Sequence, residues 1–242
     1  LPFIVHLWGG TGTGKTVALC VAASVWGKGA YNNNALIQSF RGTEYALSEK
    51  AAFLYSLPVI IDEGQTVKNK DDFDTLIMNL TEGKGKIQGS ASGGIKKLRH
   101  WANCFITTAE ENIIKYNSGG GTSNRIINIA AQSKIINDGH ITMQIIRDNY
   151  GFAGKEYIEY IKKLPLEQLK NRYDDLFAKL KDNTDSTDKQ LMAMTFLLLS
   201  DELSEQCIFK GEKPLSIENI KPFLTSQKEI DNSERAYNWA VN

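Results

Sequence analysis

The sequence predicts an α/β fold in which a parallel sheet is followed by a mainly helical region. Short apolar runs at residues 3–8, 59–61 and 101–107 have the length and composition of strands buried on both faces. The first run leads through glycines into a small, apolar, helix-like segment at residues 17–26. From residue 155 onward the apolar spacing is helical. We therefore divide the chain into an α/β core at residues 1–160 and a helical lid and C-terminal region at residues 161–242.

The other elements follow from local patterns. Residues 27–39 are rich in glycine and asparagine and predict turns, whereas residues 43–55 and 72–80 predict helices. A glycine-rich, lysine-bearing segment at residues 83–94 predicts a protruding β-hairpin. Strands are predicted at residues 125–129 and, because apolar residues alternate there, at residues 140–146. Helices are predicted at residues 156–164, 166–181, 189–203 and 217–224.

Composition excludes several classes of protein. Twenty-eight Lys and Arg balance twenty-eight Asp and Glu, so a nucleic-acid partner would have to be bound by a local patch of charge. Cys20, Cys104 and Cys207 are far apart, which excludes a disulfide framework or zinc site and favours a reducing, cytoplasmic location. No apolar run reaches the roughly 18 residues of a membrane span. Because the chain starts at Leu1 and stops within a helix-like stretch, we expect it to be part of a longer protein.

Residues 9–16 carry a phosphate-binding motif. They read G-G-T-G-T-G-K-T, which satisfies the P-loop pattern G-x-x-x-x-G-K-[ST] between a predicted strand and a predicted helix. Backbone N–H groups of such a loop approach phosphates, Lys15 reaches the β- and γ-phosphates, and Thr16 ligates Mg²⁺. The sequence therefore predicts a site for a nucleoside triphosphate and Mg²⁺. The predicted nucleotide-binding residues are Gly9, Gly10, Thr11, Gly12, Thr13, Gly14, Lys15 and Thr16.

Two acidic residues follow the second apolar strand. We interpret Asp62 as a metal residue, together with Thr16, and Glu63 as the base that activates water. Taken alone, such a pair can also be a cap or a solvated strand end, but the P-loop favours the catalytic interpretation. A carboxylate directly after the metal-binding acid favours hydrolysis over transfer to a small acceptor.

Two further residues are candidates for catalysis. Thr108, with Thr107 in reserve, ends a predicted strand and could orient the attacking water, although a strand-end threonine with only a structural role is the alternative. Arg125 follows a glycine loop and precedes a strand, a position that can direct its guanidinium toward the γ-phosphate of another subunit. A solvated or salt-bridged arginine is the alternative there.

The segment between Glu82 and Glu110 is a local basic patch without acidic residues. Lysines on a Gly/Ser-rich hairpin suit contact with nucleic-acid phosphates regardless of sequence. The alternative is a solvated hairpin edge that lysines protect from aggregation. The candidate nucleic-acid contacts are Lys84, Lys86, Lys96, Lys97 and Arg99.

In this order the motifs resemble those of AAA+ ATPases. The stretches at residues 6–19, 22–27, 60–63, 83–86 and 149–154 resemble the helicase-like domain family of phages, plasmids and staphylococcal cassette chromosome elements. In the last of these the domain belongs to MCM-like replicative helicases of the Cch type. The resemblance covers nearly the whole chain and implies a P-loop AAA+ parallel-sheet domain with a helical lid.

The resemblance also implies a function. It implies a homo-hexameric ring that hydrolyses ATP with Mg²⁺ at subunit interfaces and translocates on DNA, single-stranded in a central pore, with primase or polymerase as further partners. The pore hairpin corresponds to residues 83–99, with Lys96 and Lys97 near its tip, and the arginine finger corresponds to Arg125. The sensor-2 arginine corresponds to Lys189, and Thr108 stands where MCM proteins commonly have Asn.

The sequence thus predicts an ATP-driven DNA helicase motor module. Two alternatives remain. An AAA+ ATPase that remodels or packages DNA without unwinding it would use the same pore lysines. A slow nucleotide-dependent switch or scaffold would bind ATP and gate partner binding, although the full catalytic set argues against it.

Overall fold

The computed structural model describes residues 1–29, 36–39, 43–62, 70–86, 98–114 and 120–230, with the backbone alone at residues 70–74. Five parallel strands in these ranges form one sheet in the order β2-β3-β4-β1-β5. The predicted α/β class and parallel sheet are confirmed. The strands are β1 (Phe3–Trp8), β2 (Ile37–Ser39), β3 (Val59–Asp62), β4 (Cys104–Ala109) and β5 (Ile126–Ala130).

The sheet register determines which residues share an edge. β1 lies between β4 and β5, with Trp8 opposite Ala109 on one side and Ala130 on the other. β3 pairs with the far side of β4, where Ile61 lies opposite Thr107. Because the strands are parallel, the segments that follow β1, β3 and β4 all leave the sheet at the same edge.

Helices cover the sheet and form the second half of the chain. Thr43 caps the second helix, since its hydroxyl accepts a hydrogen bond from the Ala46 N–H (3.2 Å). A π-helical turn, Glu205–Phe209, continues the eighth helix, and a 3₁₀ turn, Lys221–Phe223, follows the ninth. The helices are α1 (Lys15–Ser24), α2 (Glu44–Leu54), α3 (Lys70–Glu82), α4 (Gly120–Ser123), α5 (Gly139–Asp148), α6 (Phe152–Ile161), α7 (Leu166–Asn183), α8 (Asp188–Ser204), α9 (Ile217–Ile220) and α10 (Gln227–Ile230).

The strand predicted at residues 140–146 is wrong, because this segment lies within helix α5. Asp138 caps the helix by accepting a hydrogen bond from the Ile141 N–H (3.0 Å). Met143 and Ile146 are three residues apart and pack against the apolar cluster of α1, whereas Ile141 and Ile145 are exposed. The apolar alternation therefore combined residues from two faces of a helix.

Two strand predictions differ from the structure in smaller ways. The third predicted strand begins three residues later, at β4, and Trp101 lies in the preceding loop with its indole N–H donating to the Leu80 carbonyl (2.7 Å). β2 lies within a segment predicted as turns and pairs only with β3. The predicted hairpin is described only at its base, where Lys84 and His100 form an antiparallel bridge, and residues 87–97 lie outside the described part of the chain.

The helical region shares an apolar core with the sheet. Leu180 of α7 and Leu191 of α8 are almost completely buried in one cluster with Phe3 of β1 and Ile127 of β5. Arg172 and Glu202 join α7 to α8 through an ion pair of 2.7 Å. The division of the chain at residue 160 stays a prediction. Across the described ranges, no helix combines the length and the apolarity needed to span a membrane.

The motif at residues 149–154 is a packing motif. The Gly151 N–H donates to the Ser24 carbonyl (2.7 Å), and the Gly154 N–H donates to the Val25 carbonyl (2.9 Å). A Cβ atom on Gly154 would lie 2.5 Å from that Val25 oxygen. The glycine thus lets the start of α6 approach the end of α1, the helix that follows the P-loop.

Candidate nucleotide-binding site

The P-loop connects β1 to α1 through a tight glycine turn. Gly14 precedes α1 in a left-handed conformation, with φ of 93°. A Cβ atom on Gly9 would lie 2.5 Å from the Ala131 carbonyl oxygen of the segment after β5. These two glycines let the loop fold back over the start of α1, so that the free backbone N–H groups of the helix face the loop.

Lys15 directs its side chain into this loop. Its ammonium group donates to the carbonyls of Gly9 (2.7 Å) and Gly10 (2.8 Å) and to the Thr13 hydroxyl (3.2 Å). A positive charge and the N-terminal end of the α1 dipole therefore occupy the same place, which suits an anion.

Asp62 joins three elements at the carboxyl edge of the sheet. Its carboxylate accepts from the Thr16 hydroxyl of α1 (3.0 Å) and from the Thr108 hydroxyl of β4, and the residue is 5% exposed. Hydroxyl and carboxylate oxygens are the protein ligands that Mg²⁺ prefers, so this donor set fits the ion. In the described ranges no cluster of three or more His, Cys, Asp or Glu could hold a metal. Mg²⁺ is octahedral and usually keeps several waters, so Thr16 and Asp62 would share it with water or with nucleotide oxygens.

These residues line a cavity of about 460 Å³ above the P-loop. Thr11, Gly12, Gly14, Lys15, Thr16, Asp62 and Thr108 of the sequence prediction lie on its wall. Glu63, the predicted base, lies outside the described residues.

The cavity wall also contains residues that were not predicted from the sequence, among them Glu110, Lys134 and Ile136. Glu110 accepts a hydrogen bond from the Thr11 hydroxyl (2.7 Å), and its place directly after β4 was the available signal. Lys134 and Ile136 also line the cavity. Their segment lies across the P-loop, because the Ile135 N–H donates to the Thr13 carbonyl (2.9 Å). No sequence pattern predicts this contact.

The two candidate threonines lie in different surroundings, and the water-orienting role of Thr108 stays a prediction. Thr108 lines the cavity, whereas the Thr107 hydroxyl lies 2.8 Å from Nδ1 of His6 in the sheet interior. Burial lowers the pKa of His6 to about 4, against a smaller opposing effect of a backbone hydrogen bond with Glu111. A neutral imidazole thus supports Thr107 beneath the site at neutral pH.

Arg125 lies at the amino ends of the strands, opposite the end that carries the P-loop. It precedes the first residue of β5, whereas the P-loop follows the last residue of the paired strand β1. The five residues of β5 separate them by about 17 Å at roughly 3.3 Å per residue, which exceeds the reach of an arginine side chain. The guanidinium donates to the Gly121 carbonyl (2.6 Å) and to Met78 Sδ (3.1 Å). Arg125 therefore does not approach the P-loop of its own chain.

Lys189 lies at the same edge as Arg125. It is exposed on the first turn of α8 and does not line the P-loop cavity. The next residue, Gln190, donates to the backbone carbonyls of Ser123 and Ile126, which flank Arg125 (3.0 Å each). A sensor role for Lys189 stays a prediction.

Two of the five candidate nucleic-acid cations are paired with α2. Lys86 forms an ion pair of 2.9 Å with Glu44, and Arg99 forms one of 2.5 Å with Glu49. These residues line a cavity of about 750 Å³ between α2 and the hairpin base. Lys84 is exposed, and Lys96 and Lys97 lie outside the described residues. Lys86 and Arg99 therefore connect the base of the segment to α2.

Comparison with known proteins supports this architecture. Residues 2–100 match the family model described as Domain of unknown function (DUF927). No curated protein matches the chain. A solved structure described as "SCCmec type IV Cch - active helicase" is similar to 92% of the chain, with a TM-score of 0.67 and 21% sequence identity. The fold is shared with a helicase. This chain spans 41% of the length of that helicase chain, and the expected relation to Cch-type helicases is supported at the level of the fold.

Proposed function

We propose that this chain is the ATP-driven motor module of a ring-forming, MCM-like DNA helicase or translocase. The observation that carries the proposal is the convergence of Lys15, Thr16, Asp62 and Thr108 around one cavity. The fold shared with an active helicase favours DNA as the substrate of the motor over other AAA+ functions.

ATP is held by the P-loop in this proposal. Backbone N–H groups of residues 9–14 and the Lys15 ammonium bind the phosphates, replacing the neutral loop oxygens that Lys15 now contacts. Phosphate oxygens carry a net negative charge, so they attract the ammonium more strongly than the neutral carbonyls do. Thr16 and Asp62 hold Mg²⁺, which neutralises charge on the phosphates. Thr108 orients the Asp62 carboxylate, and Glu63 accepts a proton from the attacking water.

Hydrolysis is completed by a second subunit. Arg125 cannot reach the cavity of its own chain, so its guanidinium acts on the nucleotide of a neighbour, and Lys189 at the same edge faces that neighbour as well. A ring, which we expect to be a hexamer, places the cavity of each subunit next to Arg125 of its neighbour. Arginine fingers supplied in this way raise turnover by about 10³-fold or more.

The hairpin grips the DNA strand. Lys86 and Arg99 hold its base through their ion pairs with α2, so the contacts with phosphates fall mainly to Lys84, Lys96 and Lys97. Lysines recognise the backbone without reading bases, which suits a motor that moves along any sequence.

The test measures ATPase activity and strand displacement of the full-length protein with and without single-stranded DNA, together with its mass in the presence of ATP. We expect an ATP-dependent oligomer whose turnover rises with DNA and that displaces a strand. ATP turnover that DNA does not stimulate would favour the nucleotide-dependent switch or scaffold. DNA-stimulated turnover without displacement would favour a remodelling or packaging ATPase.

A double variant tests the hairpin. Replacing Lys96 and Lys97 by alanine should abolish unwinding and DNA stimulation while basal ATPase activity stays. Each lost phosphate contact should reduce the salt dependence of single-strand binding by about 0.7 in log–log slope. The control replaces Lys162 and Lys163, an exposed pair at the end of α6, and should leave both properties unchanged. An unchanged slope in the hairpin variant would contradict the proposed contact.

A further inference from the structure

The segment that carries Arg125 has hydrogen bonds of its own, since the Arg125 N–H donates to the Thr122 carbonyl (3.0 Å) and the guanidinium to the Gly121 carbonyl (2.6 Å). It follows α4, a four-residue helix that begins with two glycines, and joins β5 after Arg125. Glycine has the largest backbone freedom, and one helical turn is a poor restraint by itself. The position of the guanidinium therefore also depends on contacts with other elements, one of which is Met78 Sδ of α3 (3.1 Å).

Gln190 supplies such contacts from the first turns of α8. Its side chain is fully buried, and its amide nitrogen donates to the carbonyls of Ser123 and Ile126 at 3.0 Å each. The two acceptors lie on either side of Asn124 and Arg125 in the chain. One amide group therefore holds both ends of the segment that contains Arg125.

The orientation of this amide is determined by its partners. The Thr225 N–H donates to the Gln190 carbonyl oxygen (2.9 Å), so the NH₂ group must face Ser123 and Ile126, whose carbonyls can only accept. An amide is costly to bury among apolar side chains unless it is fully hydrogen-bonded. Leu191 and Met194, its neighbours on α8, are buried and apolar. The position of Gln190 is thus explained by its hydrogen bonds and not by packing.

A second contact holds the middle of the segment. The Thr187 hydroxyl, directly before α8, donates to the Asn124 side-chain oxygen. The Ser186 hydroxyl donates to the Thr225 carbonyl (2.7 Å), which connects this corner of α8 to the chain that follows α9. The start of α8 and the 225 region together form a clamp on residues 123–126.

We propose that Gln190 is a positioning residue for Arg125, through which the helical region sets the direction of the guanidinium toward the neighbouring subunit. The inference rests on the proposed function, in which Arg125 acts on a neighbour's nucleotide. A shift of α8 would then move Arg125 without any change at the P-loop of the same chain. The helical region of one subunit would in this way control hydrolysis in the next.

The first experiment separates turnover from nucleotide binding. Gln190→Met keeps the length of the side chain and removes all its hydrogen bonds, so kcat for ATP should fall by about 10- to 100-fold, the usual effect of a small misplacement. The affinity for a fluorescent ATP analogue should stay within twofold. Thr195→Val is the control, because this buried hydroxyl of α8 donates only within the helix, to the Leu191 carbonyl (2.7 Å). Its kcat should change by less than twofold.

The second experiment mixes subunits and identifies which site is defective. Gln190→Met subunits should recover activity when mixed with Lys15→Ala subunits. The Lys15→Ala subunits then supply a correctly positioned Arg125 to the intact P-loops of the Gln190→Met subunits. They should not recover activity with Arg125→Ala subunits, because neither partner then positions a guanidinium. Recovery with Arg125→Ala, or no recovery with Lys15→Ala despite confirmed co-assembly, would overturn the inference.

Two measures keep the outcomes distinct. A mixture of Arg125→Ala and Lys15→Ala subunits tests action on a neighbour by itself, and its failure to recover activity would refute the proposed function rather than the role of Gln190. If Gln190→Met does not fold, Thr187→Val replaces it, since that side chain is only partly buried. This variant should show the same pattern of recovery with a smaller loss of kcat.

Discussion

Acidification should destabilise the protein through His6. The imidazole is fully buried beside Thr107, and burial lowers its pKa from 6.5 to about 4. Between these values the unfolded chain binds a proton that the folded chain does not. The His6 contribution to stability is therefore fully present above pH 6.5 and is lost progressively as the pH falls toward 4.

The size of the effect follows from the same two values. Integrating the difference in proton binding from pH 7 to pH 5 gives a loss of roughly 2 kcal/mol in the free energy of unfolding. This is a large share of the 5–15 kcal/mol that typically stabilises a folded domain. Urea unfolding at both pH values, followed by circular dichroism, measures it.

Two variants with the same substitution isolate the residue. His6→Gln removes the titrating group in the sheet, and His140→Gln removes an exposed histidine of α5. Between pH 7 and pH 5 the free energy of unfolding of the His6 variant should fall by about 2 kcal/mol less than that of wild type. The variant should also be less stable than wild type at neutral pH. The His140 variant should keep the wild-type dependence. If the His6 variant loses stability between pH 7 and pH 5 as steeply as wild type, the assignment is wrong.

Two further predictions concern the P-loop and its packing. Lys15→Ala should weaken ATP binding itself, whereas Glu63→Gln should keep binding and lose hydrolysis, because an amide cannot accept the proton of water. Equilibrium binding measures the first effect and phosphate release the second. Near wild-type turnover of the Glu63 variant would contradict its role. Gly154→Ala should lower the free energy of unfolding by about 1–3 kcal/mol, since its Cβ would lie 2.5 Å from the Val25 carbonyl. Gly10→Ala, where a Cβ meets nothing within 4 Å, should leave thermal stability unchanged, and equal melting temperatures for both would refute this packing argument.

Local patterns were sufficient for the parts of the fold that depend on local forces. β1, α1 and β3 could be predicted because each is a continuous apolar segment bounded by glycine, proline or acidic residues. The same rule failed at α5, where Ile141, Met143 and Ile145 alternate although only Met143 faces α1. β2 has three residues and one neighbouring strand, too little for any apolar period.

The candidate site was predictable where its residues follow strands. Thr16, Asp62 and Thr108 meet because parallel strands end at one edge of the sheet. Lys134 reaches the cavity on a loop that crosses the P-loop, a tertiary arrangement with no sequence period. The same rule places Arg125, which precedes β5, at the opposite end of the strands from the P-loop, which follows β1.

The separation of the cavity and Arg125 on opposite edges of one sheet limits the symmetry of any active assembly. Under the proposed function, a two-fold dimer would have to span both ends of the sheet in one interface to complete both cavities. Head-to-tail contacts need only one end of each subunit at each interface, and they give a closed ring or an open helix according to the rotation between neighbours. Closure makes as many complete sites as there are subunits, whereas an open arrangement leaves the terminal cavity without its arginine. Opening and closing such an assembly would therefore change its number of active sites by one.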